Sequence, residues 1–425
     1  MDNSAQTLKR NLLFNTVGNI IYFVCQWLIT GFFVKRLSGE AGLVNAGLLA
    51  TAMAATNVFL TLASYGMRTY QVSDISDKYT SGDYIASRVV TVAAALLLCA
   101  GYTFALGYGG EQAACIMIYL VYKLSEAATD VIHGCAQKRE RMDIIGISYA
   151  ARGVISVALF CLSLLMGQSL VFALGAMTAG CWIFCALYDL RAARPYYTPA
   201  RLSDKKAPWK LLLECAPLAV YVFMNTAVGS IPKLALERIS GTVAIGIYNL
   251  VNSPVLILQV GVAFLFTPFI TLFSSKLASG DTRGFRALGV KITLGVLAVG
   301  LLAALAMLTP LGAWGLQLLY SDPSVTEQSG LLVPMAACTV LTSLALFYCM
   351  LLTVLRDMKG LIISTALGIA VSALISAPLI SASGMFGASY ATIAALLAEC
   401  AALVYFVLRG TKPRDDFAKN TQAVL

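Results

Sequence analysis

Long apolar segments alternate with short polar ones along the whole chain. Twelve of these segments are about 20 residues or longer, the length that a helix needs to cross a bilayer. They cover residues 11–33, 42–66, 88–108, 112–132, 144–166, 169–190, 211–231, 243–272, 289–310, 329–354, 360–380 and 385–408. The pattern predicts an all-α, polytopic membrane protein with 12 transmembrane helices.

The composition supports this interpretation. Of the 425 residues, 59% are hydrophobic and 12% are charged, whereas a soluble protein carries about 25% charged residues. A soluble enzyme, a secreted disulfide scaffold and a disordered protein are therefore excluded. Most of the 11 cysteines lie inside apolar segments, so we interpret them as small buried residues rather than disulfide partners or metal ligands.

Lysine and arginine are concentrated in every second loop. If the N-terminus is cytoplasmic, 24 of the 30 basic residues fall in cytoplasmic segments, 4 in outer segments and 2 within helices. Cytoplasmic loops of membrane proteins carry such an excess. The net charge of +9 is thus explained by topology rather than by nucleic-acid binding, and both termini are predicted to be cytoplasmic.

The longest cytoplasmic connection, 191–210, divides the chain into an N-terminal six-helix lobe, 1–190, and a C-terminal one, 211–408, followed by a cytoplasmic tail, 409–425. A short repeat supports this division. Lys-Tyr-Thr-Ser-Gly-Asp at 78–83 precedes Arg88, and Lys-Leu-Ala-Ser-Gly-Asp at 276–281 precedes Arg286 at the same spacing. The pair indicates a parallel duplication, which is common among transporters.

Several classes of chemistry are missing from the sequence. It has no G-x-x-x-x-G-K-[ST] phosphate loop and only one histidine, His133, and its outer loops are short. Catalysis on a covalent bond is therefore not expected, and neither a metal nor another cofactor is predicted.

Ionisable residues inside the predicted spans are costly and therefore informative. Lys123, Glu126 and Asp130 fall on one stripe of the fourth helix, at a depth where Arg152 of the fifth could meet Asp130 or Glu126. The stripe is either a packing network of salt bridges or a contact for substrate or ion. Glu399 stands alone in the last helix, as a hydrogen-bonded packing residue or as a protonatable coupling site.

Four cations at the outer ends of the first and seventh helices break the positive-inside pattern. They are Lys35, Arg36, Lys233 and Arg238. Either they extend to the lipid headgroups, or they form an electropositive gate or cavity wall that attracts a phosphate-bearing substrate.

Three stretches carry a resemblance to a known family. They are residues 33–40 followed by Gly42, residues 66–75 with Tyr84 and Arg88, and residues 231–233 with Glu237 and with Gly246 and Tyr248 beyond. With them, essentially the whole chain resembles polysaccharide flippases of the Wzx type, within the multidrug/oligosaccharidyl-lipid/polysaccharide exporter superfamily.

The resemblance implies a V-shaped pair of six-helix bundles around a cavity lined by the first, second, seventh and eighth helices. It implies a flippase that moves undecaprenyl-pyrophosphate-linked oligosaccharide from the inner to the outer leaflet of a bacterial plasma membrane by alternating access. Polysaccharide polymerase and glycosyltransferases are the implied protein partners, beside membrane lipids. The implied pyrophosphate ligands are Arg36, Arg68, Lys233 and Arg238, with Lys35 and Arg152 as secondary candidates.

Three other functions stay open at this point. A cation-coupled multidrug antiporter shares the superfamily fold and would favour acidic rather than basic cavity residues. A facilitator-type sugar transporter would show a G-x-x-x-D-R-x-G-R-like loop after its second helix, where this chain has tyrosine at position 70. An integral-membrane glycosyltransferase or polymerase would need a large outer loop or an acidic surface motif.

Overall fold

The computed structural model describes residues 2–74, 78–196 and 206–411, with side chains at all of these except 2–10, 12, 257–268, 270 and 271. The described chain is helical apart from short turns. The first half forms six long helices. They are α1 Asp2–Leu28, α2 Gly42–Ser64, α3 Ser81–Ala105, α4 Gly110–Lys138, α5 Met142–Leu165 and α6 Leu170–Phe184.

The second half repeats this plan. Its helices are α7 Ala207–Ser240, α8 Thr242–Ala278, α9 Thr282–Leu308, α10 Leu332–Val354 and the long helix Met358–Gly410. The long helix is interrupted at Gly384, whose φ of 54° reverses the chain, and glycine adopts such an angle without steric cost. Its two parts, 358–383 and 385–410, are α11 and α12.

Nine helices of the described chain are long and apolar enough to cross a membrane. The break at Gly384, the more polar α4 and the helix α8 bring the number of spans to twelve, so the predicted all-α, twelve-helix fold is confirmed. A short helix, Pro310–Tyr320, lies between α9 and α10.

The two copies of the Ser-Gly-Asp repeat begin the third helix of each half. In the first copy Thr80 caps α3, and the Asp83 carboxylate accepts a hydrogen bond from the Thr80 amide at 2.9 Å. In the second copy Asp281 itself caps α9 and accepts from the Gly284 amide at 2.7 Å. Both satisfy amides that a helix start leaves without partners.

Helix packing is also repeated. In the first half α1 packs along α5, and in the second half α7 packs along the helices after Met358. The helices α1 and α5 pack so closely at Gly18 that a Cβ atom there would collide with the backbone carbonyl of Gly146. Small residues allow such close approach between membrane helices.

Candidate functional site

A cavity of about 250 Å³ lies between the two halves. Its walls come from α2, α7, α8, α10 and α12. The resemblance implied a cavity lined by α1, α2, α7 and α8. Among the described side chains, α2, α7 and α8 do line it, whereas α10 and α12 stand in place of α1. The lining residues are Ala50, Met53, Ala54, Asn57, Thr226, Gly229, Ser230, Lys233, Ile245, Tyr248, Asn249, Asn252, Leu256, Cys338, Thr339, Thr342 and Thr392.

Lys233 is the charged residue of this cavity wall. It follows Pro232 on α7 and is partly buried, and no hydrogen bond or ion pair joins its ammonium group to any residue that the structure describes. It is also the sole lysine or arginine in residues 42–66, 211–237 and 243–275 of the sequence. An unpaired cation at this depth is costly unless water or an anionic ligand solvates it.

Contacts between the two halves lie at the end of the cavity that the predicted topology places outside, which we call the outer end, and together they form the outer closure. Lys35 Nζ lies 2.6 Å from Asp322 Oδ2, and Arg36 Nη1 lies 3.4 Å from Ser321 Oγ. The Lys35 ammonium, through its hydrogen bond, holds the pKa of the Asp322 carboxyl below its usual range. These contacts join the helical segment that continues from α1 to the loop that precedes α10.

Three more hydrogen bonds complete the closure. The Trp27 indole donates to the Ser253 carbonyl at 2.8 Å, and the Gln112 amide donates to the Glu237 carboxylate at 2.7 Å. Arg238 donates to the carbonyl of Leu106 and lies 4.3 Å above the Tyr108 ring. Arg36 and Arg238 are thus exposed residues of the outer closure rather than of the cavity wall.

Two glycines let α2 and α8 meet backbone to backbone at this end. A Cβ atom at Gly47 would collide with the Thr242 carbonyl oxygen, and one at Gly246 would lie 2.6 Å from the Leu43 carbonyl oxygen. Any larger side chain would therefore push the helices apart. The sequence contains both glycines but does not indicate that they face one another.

At the opposite end, which the predicted topology places on the cytoplasmic side and which we call the cytoplasmic end, the halves meet through the start of α7. The Lys78 ammonium lies 2.6 Å from the Glu214 carboxylate, which also accepts a hydrogen bond from Tyr70. The Ser87 hydroxyl donates to the Pro208 carbonyl at 3.1 Å. By contrast, the hydrogen bond from Trp27 of α1 to Ser253 of α8 lies at the outer end.

Arg68 belongs to a separate network near the cytoplasmic face. It donates to Gln137 at 3.0 Å and approaches Asp130 at 3.4 Å. The other oxygen of Asp130 pairs with the buried Arg88 at 3.1 Å, which also donates to the Ala63 carbonyl. The sequence did not indicate that Arg88, in the first turns of α3, would neutralise Asp130 together with Arg68 of the segment after α2.

The expected stripe on α4 is divided between two networks. Lys123 and Glu126 pair at 2.7 Å, as a packing network requires, and Glu126 also accepts from Tyr22 of α1. Contrary to the expectation, Arg152 makes no ion pair with Asp130 or Glu126 among the described residues. Arg152 instead donates to Thr129 Oγ1 at 2.6 Å and to Ser125, because hydroxyl groups of α4 lie nearer to it than either carboxylate.

Glu399 is buried in the second half, where Gly368 lies against its side chain. Its Oε1 atom has no hydrogen-bond partner among the described residues, and Asn225 and Thr365 face the carboxyl group. The contacts fit either role predicted for it. Among the described residues, no group of three or more His, Cys, Asp or Glu side chains is placed to hold a metal ion.

Residues 8–274 match the model of a family described as polysaccharide biosynthesis protein. The chain belongs to this family. A curated relative, the capsular polysaccharide biosynthesis protein CapF of Staphylococcus aureus, is 26% identical over 245 residues. That match covers 57% of this chain and 60% of the relative, so the chain matches less than two thirds of the relative's length.

Solved structures share the fold of this polysaccharide biosynthesis protein at low sequence identity. An inward-facing multidrug resistance MATE family transporter of the MOP superfamily has a TM-score of 0.68 at 12% identity, over 92% of this chain and 93% of that one. The lipid II flippase MurJ, in an inward closed conformation, has 0.66 at 11% identity, over 94% and 89%. The Vibrio cholerae MATE transporter VcmN has 0.64 at 16% identity, over 96% of both chains.

These findings place the chain in a polysaccharide biosynthesis protein family, as the resemblance in the sequence predicted, and show that its fold is shared with the solved MATE and MurJ structures. Its long apolar helices make it a multi-pass membrane protein. The four predicted pyrophosphate ligands do not come together. Lys233 lines the cavity, Arg36 and Arg238 lie at the outer closure, and Arg68 lies in the cytoplasmic network.

Proposed function

We propose that this protein is a flippase that carries undecaprenyl-pyrophosphate-linked oligosaccharide from the inner to the outer leaflet of a bacterial plasma membrane, for polysaccharide biosynthesis. Membership of the polysaccharide biosynthesis protein family supports this proposal. So does the relative CapF, whose name places it in capsular polysaccharide biosynthesis.

The observation that carries the proposal is the unpaired Lys233 in the cavity between the halves. A pyrophosphate group that enters the cavity supplies the counter-charge that Lys233 lacks. Hydrogen bonds to charged groups contribute about 1.5–3 kcal/mol each, so one such contact is enough to favour a pyrophosphate lipid over a neutral one. The hydroxyl and amide groups of the remaining wall face the sugars, and the lipid tail stays in the bilayer.

The closure at the outer end supports transport by alternating access. The closed state joins the halves through Lys35, Arg36 and Arg238 and through the Gly47–Gly246 contact, which separates Lys233 from the outside. Release to the outer leaflet requires these contacts to break. In this proposal Lys35, Arg36 and Arg238 hold the gate while it is closed and are free to meet the pyrophosphate once it opens.

Arg68 has a different part in the proposal. Its side chain is about one quarter exposed and lines a groove with Gln137 at the cytoplasmic end. There it attracts the pyrophosphate headgroup as the lipid arrives from the inner leaflet. The excess of basic residues in the cytoplasmic segments supports this orientation, with both termini inside.

A cation-coupled multidrug antiporter is the alternative on the same fold. Its cationic substrates would require an acidic cavity wall. The described lining of this cavity contains a lysine and no aspartate or glutamate, which favours the anionic substrate.

The proposal is tested by the leaflet distribution of the lipid-linked oligosaccharide in cells. Periodate or a lectin added outside should reach the oligosaccharide when the protein is present, and its accessible fraction should fall at least tenfold after depletion. Lys233→Arg should restore it in depleted cells, because the charge is kept, and Lys233→Gln should not. An unchanged accessible fraction after depletion would contradict the proposal.

A further inference from the structure

Three asparagine side chains line the cavity without a hydrogen-bond partner among the described residues. They are Asn57 on α2 and Asn249 and Asn252 on α8. Three asparagines near the start of the chain, Asn11, Asn15 and Asn19, are instead bonded within the protein. The Asn11 amide donates to the Glu140 carbonyl at 2.8 Å, and the Asn19 amide donates to the Asn15 carbonyl at 2.7 Å.

Three threonine hydroxyl groups of the same wall are already hydrogen-bonded to the backbone. Thr226, Thr342 and Thr392 each donate to a carbonyl of their own helix, at 3.0, 2.8 and 2.8 Å. Their protons are therefore not available to a ligand. A primary amide offers two donors and one acceptor, so the three asparagines add free neutral hydrogen-bonding groups to the hydroxyl groups of Ser230, Thr339 and Tyr248 in the same wall.

Leaving such groups without partners inside a membrane protein carries a free-energy cost. An amide moved from water without a compensating hydrogen bond costs about 1–3 kcal/mol on protein scales. Three unsatisfied amides on two facing helices are therefore typical of a surface that binds water or a polar ligand rather than of packing. A ligand with many hydroxyl or acetamido groups matches their paired donors and acceptor.

The positions of the asparagines relative to Lys233 indicate an order along the cavity. Lys233 precedes the outer end of α7 by seven residues and Asn249 follows the outer end of α8 by seven, so both lie about 10 Å from that end. Asn252 lies one helical turn deeper on the same face as Asn249. Asn57 lies about 22 Å from the outer end of α2. The amides thus extend from the level of the lysine towards the middle of the membrane.

We infer that Asn57, Asn249 and Asn252 form a sugar subsite that binds the hydroxyl and acetamido groups of an uncharged sugar next to the pyrophosphate. This inference rests on the proposed function, because it assigns the lipid-linked pyrophosphate to Lys233. With no second lysine or arginine in α2, α7 or α8 at this depth, a carboxylate-bearing sugar would meet no counter-charge. The subsite therefore favours neutral sugars over uronic acids.

Binding to the purified full-length protein in detergent tests the inference with two probes. One is undecaprenyl pyrophosphate, which has no sugar, and the other is undecaprenyl-pyrophosphoryl-N-acetylglucosamine. Two or three amide hydrogen bonds predict that the unaltered protein binds the sugar-bearing probe about tenfold more tightly. Asn252→Leu should reduce this preference to less than threefold and leave the affinity for the sugarless probe unchanged.

Two further variants separate the possible outcomes. Lys233→Gln should weaken the binding of both probes by a similar factor and keep the preference for the sugar. Asn45→Leu, on α2 but outside the cavity wall, should change neither affinity. If Asn252→Leu does not fold, Asn57→Ala and Asn249→Ala replace it, and their affinity for the sugarless probe reports on their folding.

The results also distinguish a failure of the subsite from a failure of the proposed function. If the unaltered protein binds both probes equally, or if the asparagine variants keep the full preference, the sugar subsite is overturned and the pyrophosphate site remains. If the unaltered protein binds neither probe, the proposed function fails, and the subsite fails with it.

Discussion

Lys35 and Asp322 form an ion pair of 2.6 Å that joins the end of the first membrane helix to a loop in the second half of the chain. Both side chains are about one sixth exposed, at 16% and 17%. The pair spans 287 sequence positions and lies beside the Arg36–Ser321 contact. The ion pair therefore stabilises the contact between the two halves rather than the fold of either half.

Removing this ion pair should favour the state that is open to the outside. A partly exposed pair contributes about 1 kcal/mol, so Asp322→Asn should raise the outward-open population about fivefold. The measurement is labelling of the cavity residue Cys338 by a membrane-impermeant maleimide added outside intact cells. Cys338→Ser gives the background, and unchanged labelling in Asp322→Asn would show that the pair does not hold the gate.

The same pair predicts little dependence of the closed state on pH. Lys35 keeps the pKa of Asp322 low, so the stabilising charge is present above the carboxyl's ordinary pKa and is lost only as pH falls through the lowered value. Cys338 labelling, corrected for the pH dependence of the maleimide reaction, should therefore stay constant between about pH 8 and pH 5. A rise within that window that Asp322→Asn abolishes would be inconsistent with the assignment.

The glycine contact at the outer end predicts a stronger effect. Gly47→Leu places a side chain where the Thr242 carbonyl lies, so the outer ends of α2 and α8 should no longer close. We expect external labelling of Cys338 to rise to near completion and transport to stop. Gly101→Leu is the matched control, because its Cβ would meet no atom within 4 Å. Normal transport by Gly47→Leu would contradict the closed arrangement.

The cytoplasmic network predicts a loss of stability rather than of gating. Asp130→Asn leaves Arg88, whose side chain is 4% exposed, without its counter-charge. Removing one partner of a buried ion pair costs on the order of 3–5 kcal/mol, and thermal unfolding in detergent should show it. Lys78→Ala breaks a pair that is largely exposed and should leave the unfolding temperature nearly unchanged. Equal effects from both variants would contradict the difference in burial.

The orientation in the membrane can be tested by single introduced cysteines. Gly109→Cys, in the turn before α4, should react with a membrane-impermeant maleimide added outside intact cells. Arg139→Cys, after α4, should react only after the cells are permeabilised. Both positions are exposed, so access to the reagent depends on the side of the membrane. The opposite pattern would invert the proposed topology.

The number and order of the helices could be predicted from the sequence because apolar length and loop charge are local properties. The pair of Lys123 and Glu126 was predictable for the same reason, since three residues on a helix bring the side chains to one face. The partner of Asp130 was not. It depends on how the segment after α2 and the first turns of α3 pack against α4 and bring Arg68 and Arg88 to one carboxylate.

The outer cations show the same limit more clearly. By sequence, Arg36 and Lys233 occupy matching ends of the two repeats, and Arg36 was the stronger candidate than Lys35. In the structure Lys233 faces the cavity, whereas Lys35 makes the ion pair and Arg36 lies exposed beside it. Pro232 directly precedes Lys233 within α7, and a π-helix, Ile29–Phe33, separates α1 from Lys35 and Arg36. Neither feature follows from hydrophobic periodicity.

The central claim is that Lys233 binds the pyrophosphate of the carried lipid. The most direct measurement is the rate at which fluorescent undecaprenyl-pyrophosphoryl-N-acetylglucosamine crosses the membrane of vesicles that contain the purified protein. One charge-assisted contact predicts that Lys233→Gln lowers this rate by roughly one to two orders of magnitude, while Lys233→Arg stays within about threefold of the unaltered protein. A Lys233→Gln protein that transports at the unaltered rate would contradict the account.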